Sequence, residues 1–149
     1  MSNEYLQRKD WTVLVISAAG PTGLSPVQLQ KCLFLIGKNL PAEVGEDFYS
    51  FIPYNYGPFD AAVYVDAESL VNEKLIAIAR VSGRTWAYYV ITPKGEDLAQ
   101  SLRAKISPTV WDYIFRTVAW IKRLSFSELL MAIYNAYPEY RAKSVFLKQ

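Results

Sequence analysis

The chain has 149 residues, 52% of them apolar and 20% charged, a balance that excludes a disordered polymer and suits one packed domain over residues 1–149. It has no histidine and one cysteine, Cys32, so a Ser-His-Asp triad, a zinc site and an internal disulfide framework are all excluded. The net charge of +2 divides unevenly: residues 1–100 hold 8 Lys/Arg against 11 Asp/Glu (−3), and residues 101–149 hold 8 against 3 (+5), so any basic footprint lies in the C-terminal third.

Residues 1–8 read as a loose lead-in without the apolar core of a signal peptide. Asp10 is placed as the cap of a first helix, with Trp11, Leu14, Val15 and Ala18 on one face. Gly20-Pro21-Thr22-Gly23 ends it. Ser25, Pro26 and Gln28 then form an N-cap, a first helical residue and the third position of a capping box. The helix they open is apolar nearly all round (Leu29, Cys32, Leu33, Phe34, Leu35, Ile36), which places it in the centre of the domain and makes Cys32 an inert core thiol.

Asn39–Asp47 is a polar, acidic connection, and residues 48–54 read as extended. Gly57 and Pro58 read as a breaker followed by the first residue of a third helix, spanning about 58–73. Its inner face would hold Phe59, Val63, Ala67 and Leu70, and Asp60, Tyr64 and Glu68 would share its outer face. Leu75–Val81 and Thr85–Thr92 read as a β-hairpin around Ser82-Gly83-Arg84. Thr92-Pro93 and Ser107-Pro108 open two further helices by the same cap-plus-proline chemistry, and Ser125 with Glu128 caps a last one that Pro138 ends. The expected fold is mainly α (α+β): a winged-helix-like core over about 9–103, with a two-stranded wing, and an added C-terminal helical hairpin over about 107–138.

No phosphate-binding glycine pattern exists, and the adjacent carboxylates Glu46/Asp47 and Glu96/Asp97 lie at loops or helix starts. Hence no catalytic residue, metal or cofactor is expected. DNA binding by the third helix is disfavoured, because that helix carries Asp60, Asp66, Glu68 and Glu73, and no basic residue occurs between Lys38 and Lys74. The alternative, a winged-helix transcriptional regulator, would have to use Arg80, Arg84 and Lys94 of the wing, with Arg116, Lys122 and Arg123 behind it. A protein partner suits the residues better. Tyr54, Tyr56, Tyr64, Trp86 and Tyr88 are ring types that anchor interfaces, and Asp60 and Glu68 would add an acidic rim. No apolar run reaches the ~20 residues that span a bilayer, so no membrane is expected and the expected location is the cytoplasm. The oligomeric state is left open, a dimer included.

Residues 29–36 (Leu-Gln-Lys-Cys-Leu-Phe-Leu-Ile), 54–60 (Tyr-Asn-Tyr-Gly-Pro-Phe-Asp), Val63-Tyr64, Leu70 with Leu75-Ile76, and 89–95 (Tyr-Val-Ile-Thr-Pro-Lys-Gly) resemble the Panacea (SocA-like) antitoxin-domain family and its YwgA-like relatives. The resemblance covers about residues 12–100, with a weaker match over 125–140. It implies a small, non-enzymatic, bacterial or phage-associated protein. In the antitoxin members it implies neutralising a toxin by direct contact.

Overall fold

The structure is a computed structural model that describes residues 6–83 and 86–146. Its first helix, α1 (Arg8–Ala18), starts two residues before Asp10. Gln7 is the N-cap and Asp10 stands at the third helical position, where its carboxylate accepts from the Gln7 backbone N–H at 2.9 Å. An acidic residue serves either position, so the sequence alone misplaces the start. Six successive residues of α1, Trp11 to Ile16, are buried. The helix is therefore wrapped on all sides, and it shares the centre of the fold with α2 (Pro26–Asn39). There Ser25 and Gln28 exchange the two hydrogen bonds of a capping box, at 2.9 and 3.2 Å, as their spacing requires.

A one-turn helix, α3 (Pro41–Val44), follows. The next segment departs from expectation. Residues 52–59 form an antiparallel hairpin, β1 (Ile52–Tyr54) and β2 (Gly57–Phe59), joined through Asn55 and Tyr56. Pro58 is thus a strand residue facing Pro53, and Phe59 is paired with Ile52. Two prolines face each other without loss because neither N–H is needed at a non-hydrogen-bonded pair. Gly57 sits at φ +92°, which a side chain would resist. The third long helix, α4 (Ala61–Asn72), starts after this hairpin with Asp60 as its N-cap.

Then come β3 (Ile76–Arg80) and β4 (Ala87–Ile91), antiparallel, with Ile76 opposite Ile91 and Arg80 opposite Ala87. An isolated bridge from Leu24 to Tyr89 adds a third short edge to this wing. Thr92 caps α5 (Pro93–Arg103) by accepting from the Gly95 N–H at 3.0 Å. Gly95 packs so tightly on the strand end that a Cβ there would lie 1.9 Å from the Leu75 carbonyl oxygen.

The fold is mainly α with two small antiparallel hairpins, and α1, α2, α4, β3–β4 follow in winged-helix order. The C-terminal pair, α6 (Pro108–Arg123) and α7 (Phe126–Ala136), starts at Ser107 and Ser125 as their caps require. The two attach to the body separately: α6 packs on α1 and α2, whereas α7 reaches β2 and the 3-10 turn Pro138–Arg141. No helix among the described residues is long and apolar enough to cross a membrane.

Candidate functional site

The aromatic hairpin exposes Ile52, Tyr54 and Tyr56 and is held from several sides by the rest of the chain. From below, Gln30 of α2 uses its side-chain amide as a strand would: Nε2 donates to the Asp60 carbonyl and Oε1 accepts from the Asp60 N–H, both at 3.0 Å. Behind it, Phe34 packs edge-on against Phe51, Tyr137 and Tyr140. The tail closes the frame. The Tyr140 hydroxyl donates to the Phe51 carbonyl at 3.4 Å, and the Val145 N–H donates to the Asn55 carbonyl at 3.0 Å. The Tyr134 hydroxyl donates to Ser144 at 2.6 Å, tying the tail to α7.

On this frame the outer rings form two chains of contacts, one at each end of the hairpin. Ile52 and Tyr54 share one face of β1, and Tyr54 stacks on Phe59 with centroids 4.7 Å apart. Phe59 in turn meets Tyr64 of α4 edge-on at 5.7 Å. At the other end, Tyr56 meets Phe126 at 5.5 Å, and Phe126 meets Phe146 at 6.0 Å. Ile52, Tyr54, Tyr56 and Phe126 are 56, 46, 44 and 41% exposed, which is high for large apolar side chains gathered on one hairpin and the helix start packed against it.

The sequence-derived site residues divide. Tyr54, Tyr56 and Tyr64 are brought together, with Tyr64 half-buried beside Gln30 and its pKa raised, chiefly by burial. Trp86 stands just before β4 on the other hairpin and is 49% exposed, and Tyr88 within β4 is half-buried. Asp60 belongs to the architecture. Its carboxylate accepts from the Ala62 and Ser50 N–H groups at 2.9 and 2.8 Å.

The acidic face expected on α4 is also smaller than its sequence implies. Asp66 is buried and accepts from Arg8 Nε and Nη2 at 2.7 and 3.0 Å and from the Tyr49 hydroxyl at 2.6 Å, with Thr12 2.8 Å behind that hydroxyl. The hydrogen bonds to Asp66 raise the pKa of Arg8, and burial raises that of Tyr49. Glu73 pairs with Lys9 at 2.8 Å. Glu68 remains exposed.

Among the basic residues proposed for nucleic acid, Arg80 is exposed at the end of β3, while Lys94 donates to the Glu73 carbonyl at 3.0 Å and so ties α5 to the end of α4. Arg84 lies outside the described residues. Lys122 donates to the Ala19 carbonyl and the Thr22 hydroxyl, and Arg116 pairs with Asp112 on its own helix.

One functional feature escapes a sequence reading altogether. Lys31 is only 3% exposed; its Nζ donates to the Pro58 carbonyl at 3.2 Å, and burial lowers its pKa to about 7. It lies under a cavity of about 150 Å³ between α2, the β1–β2 hairpin and α4. Cys32 beside it is fully buried, and burial raises its pKa far above the ordinary thiol range. A larger cavity of about 280 Å³ lies behind the hairpin, where Lys38 sits 5.7–5.9 Å over the rings of Phe34, Tyr137 and Tyr140.

No protein-family model matches the chain, and no curated protein matches it.

Proposed function

We propose that the chain is a non-enzymatic interaction module that binds a protein partner through the outer rings of the β1–β2 hairpin. The observation that carries this reading is the set Ile52, Tyr54 and Tyr56, exposed on a hairpin anchored from α2, α7 and the tail, with the exposed Phe126 of α7 against Tyr56. Large exposed apolar groups on a rigid support bind with little loss of conformational entropy, and tyrosines supply contact area with a hydrogen-bonding tip. Tyr64 and Glu68 extend the surface along α4. Trp86, with Tyr88 nearby, offers a second contact on the wing.

An antitoxin-like role in the cytoplasm, with a toxin as the partner, follows from the Panacea resemblance of residues 12–100. It agrees with a surface that offers rings more than chemistry. The DNA-binding alternative is weakened by the exposed Glu68 of α4 and by the structural use of Lys94 and Lys122.

The test is co-purification from the native host with the wild type and with a Tyr54→Ser/Tyr56→Ser double variant. The reading expects a stoichiometric protein that the wild type retains and the variant loses, with the variant shown to be folded by its own cooperative thermal transition. Equal retention by both, or duplex DNA binding that survives the double variant and weakens steeply with salt, would turn the assignment toward the regulator.

A further inference from the structure

Lys31 is the only charged side chain lining the 150 Å³ cavity, and among the described residues its single hydrogen bond is to the Pro58 carbonyl. An ammonium has three donors, so two are left without a protein partner beside a space lined by Tyr54, Tyr56, Phe59 and Tyr64 together with the neutral amides of Gln30 and Asn55. The groups facing it can be named from each element packed around it. Tyr54 and Tyr56 come from the hairpin, Tyr64 from α4, and Tyr134 from α7, beside the Lys31 side chain at Gly57. No carboxylate is among them: Asp60, the nearest acidic residue in sequence to the hairpin, is turned away onto the Ser50 and Ala62 N–H groups. A buried cation without a counter-charge is costly unless something supplies one.

We propose that this cavity receives a carboxylate group, whose oxygens take the two free donors of Lys31 while the phenol hydroxyls at the rim cover its outer edge. The space holds a carboxylate with a short alkyl stem. Gly57 lines the same space beside the Lys31 side chain. The carboxylate has two sources, a free small acid or an acidic side chain of a polypeptide, and the inference holds whether or not a protein partner uses the outer rings. Binding of an anion favours the ammonium, so affinity should fall about tenfold per pH unit above the pKa of the free amine.

The experiment follows the Lys31 ¹³Cε resonance through a pH titration of protein labelled at lysine, with its assignment fixed by its loss in Lys31→Met. Propionate and N-acetylglutamate N-methylamide are the two probes. The expected result is an upward displacement of the Lys31 midpoint by at least about one pH unit at saturation, a tenfold preference for the ammonium form. The stronger binding of propionate would identify a small-acid site, and the stronger binding of the glutamyl amide an acidic side chain. A midpoint that neither probe moves overturns the proposal. So does a Lys31→Met variant that binds propionate as tightly as the wild type. Should that variant fail to fold, through-bond correlation from the Lys31 backbone amide assigns the same resonance, and the wild-type titration decides the matter.

Discussion

Replacing Lys31 by Met retains most of the side-chain volume and removes the buried amine. In the folded protein the amine titrates near 7, because burial disfavours its charge, against 10.5 as the ordinary value. The folded pKa lies below the unfolded one, so between about pH 7 and 10 the unfolded chain holds the extra proton. Stability contributed by this group therefore rises with pH through that window, by about 1.4 kcal/mol per unit at most. At pH 7 the difference of 3.5 units sets an upper bound of roughly 4–5 kcal/mol on the cost of burying the amine. Loss of the Pro58 hydrogen bond returns about 1 kcal/mol of that. Lys31→Met is thus expected to be more stable than the wild type at pH 7 by roughly 1–4 kcal/mol. The assay is urea unfolding followed by tryptophan fluorescence at half-unit steps from pH 6.5 to 9.5. The two stability curves should converge as pH rises. Parallel curves, or a variant less stable than the wild type throughout, would refute the reasoning.

Asp66→Ala should destabilise by about 3 kcal/mol, since it leaves the buried Tyr49 hydroxyl with Thr12 alone and removes a two-pronged Arg8 contact; Asp66→Asn should lose roughly half of that, both read by urea unfolding. Gly95→Ala should cost about 2–4 kcal/mol, because its Cβ would meet the Leu75 carbonyl at 1.9 Å and force α5 off the wing; a thermal midpoint within 2 °C of wild type would contradict the packing described. Tyr54→Ser/Tyr56→Ser removes the Tyr54–Phe59 and Tyr56–Phe126 ring contacts and should cost about 1–3 kcal/mol while leaving a cooperative transition, checked by the same unfolding curves.

Much of the fold was legible because its helix starts are written locally. Ser25-Pro26 with Gln28, Thr92-Pro93, Ser107-Pro108 and Ser125 with Glu128 each begin a helix as read. The misreading at Gly57-Pro58 has a physical cause. A proline after a glycine suits a helix start and a strand edge equally, and what decided between them was Pro53 opposite, which local chemistry does not reveal. With the hairpin in place, Asp60 moved from the outer face to the cap. The buried charges were hidden for the same kind of reason. Asp66 is held by Arg8 from 58 residues away, and Lys31 is covered by a hairpin 27 residues further on. A charge on a helix looks solvated until its neighbours are known. Of the seven residues proposed for partner contact, the structure joins the three tyrosines of the hairpin and α4. Trp86 and Tyr88 belong to a different sheet.

The central claim is that the outer rings of the hairpin meet a protein partner, and site-specific photo-crosslinking in the native host tests it most directly. A photoreactive phenylalanine analogue at position 56 should yield one discrete adduct, and one at the exposed Glu139 should yield none; unlabelled wild-type protein in excess should compete the adduct away, and the Tyr54→Ser/Tyr56→Ser protein should not. No adduct at position 56, or the same set of adducts at both positions, would contradict the account.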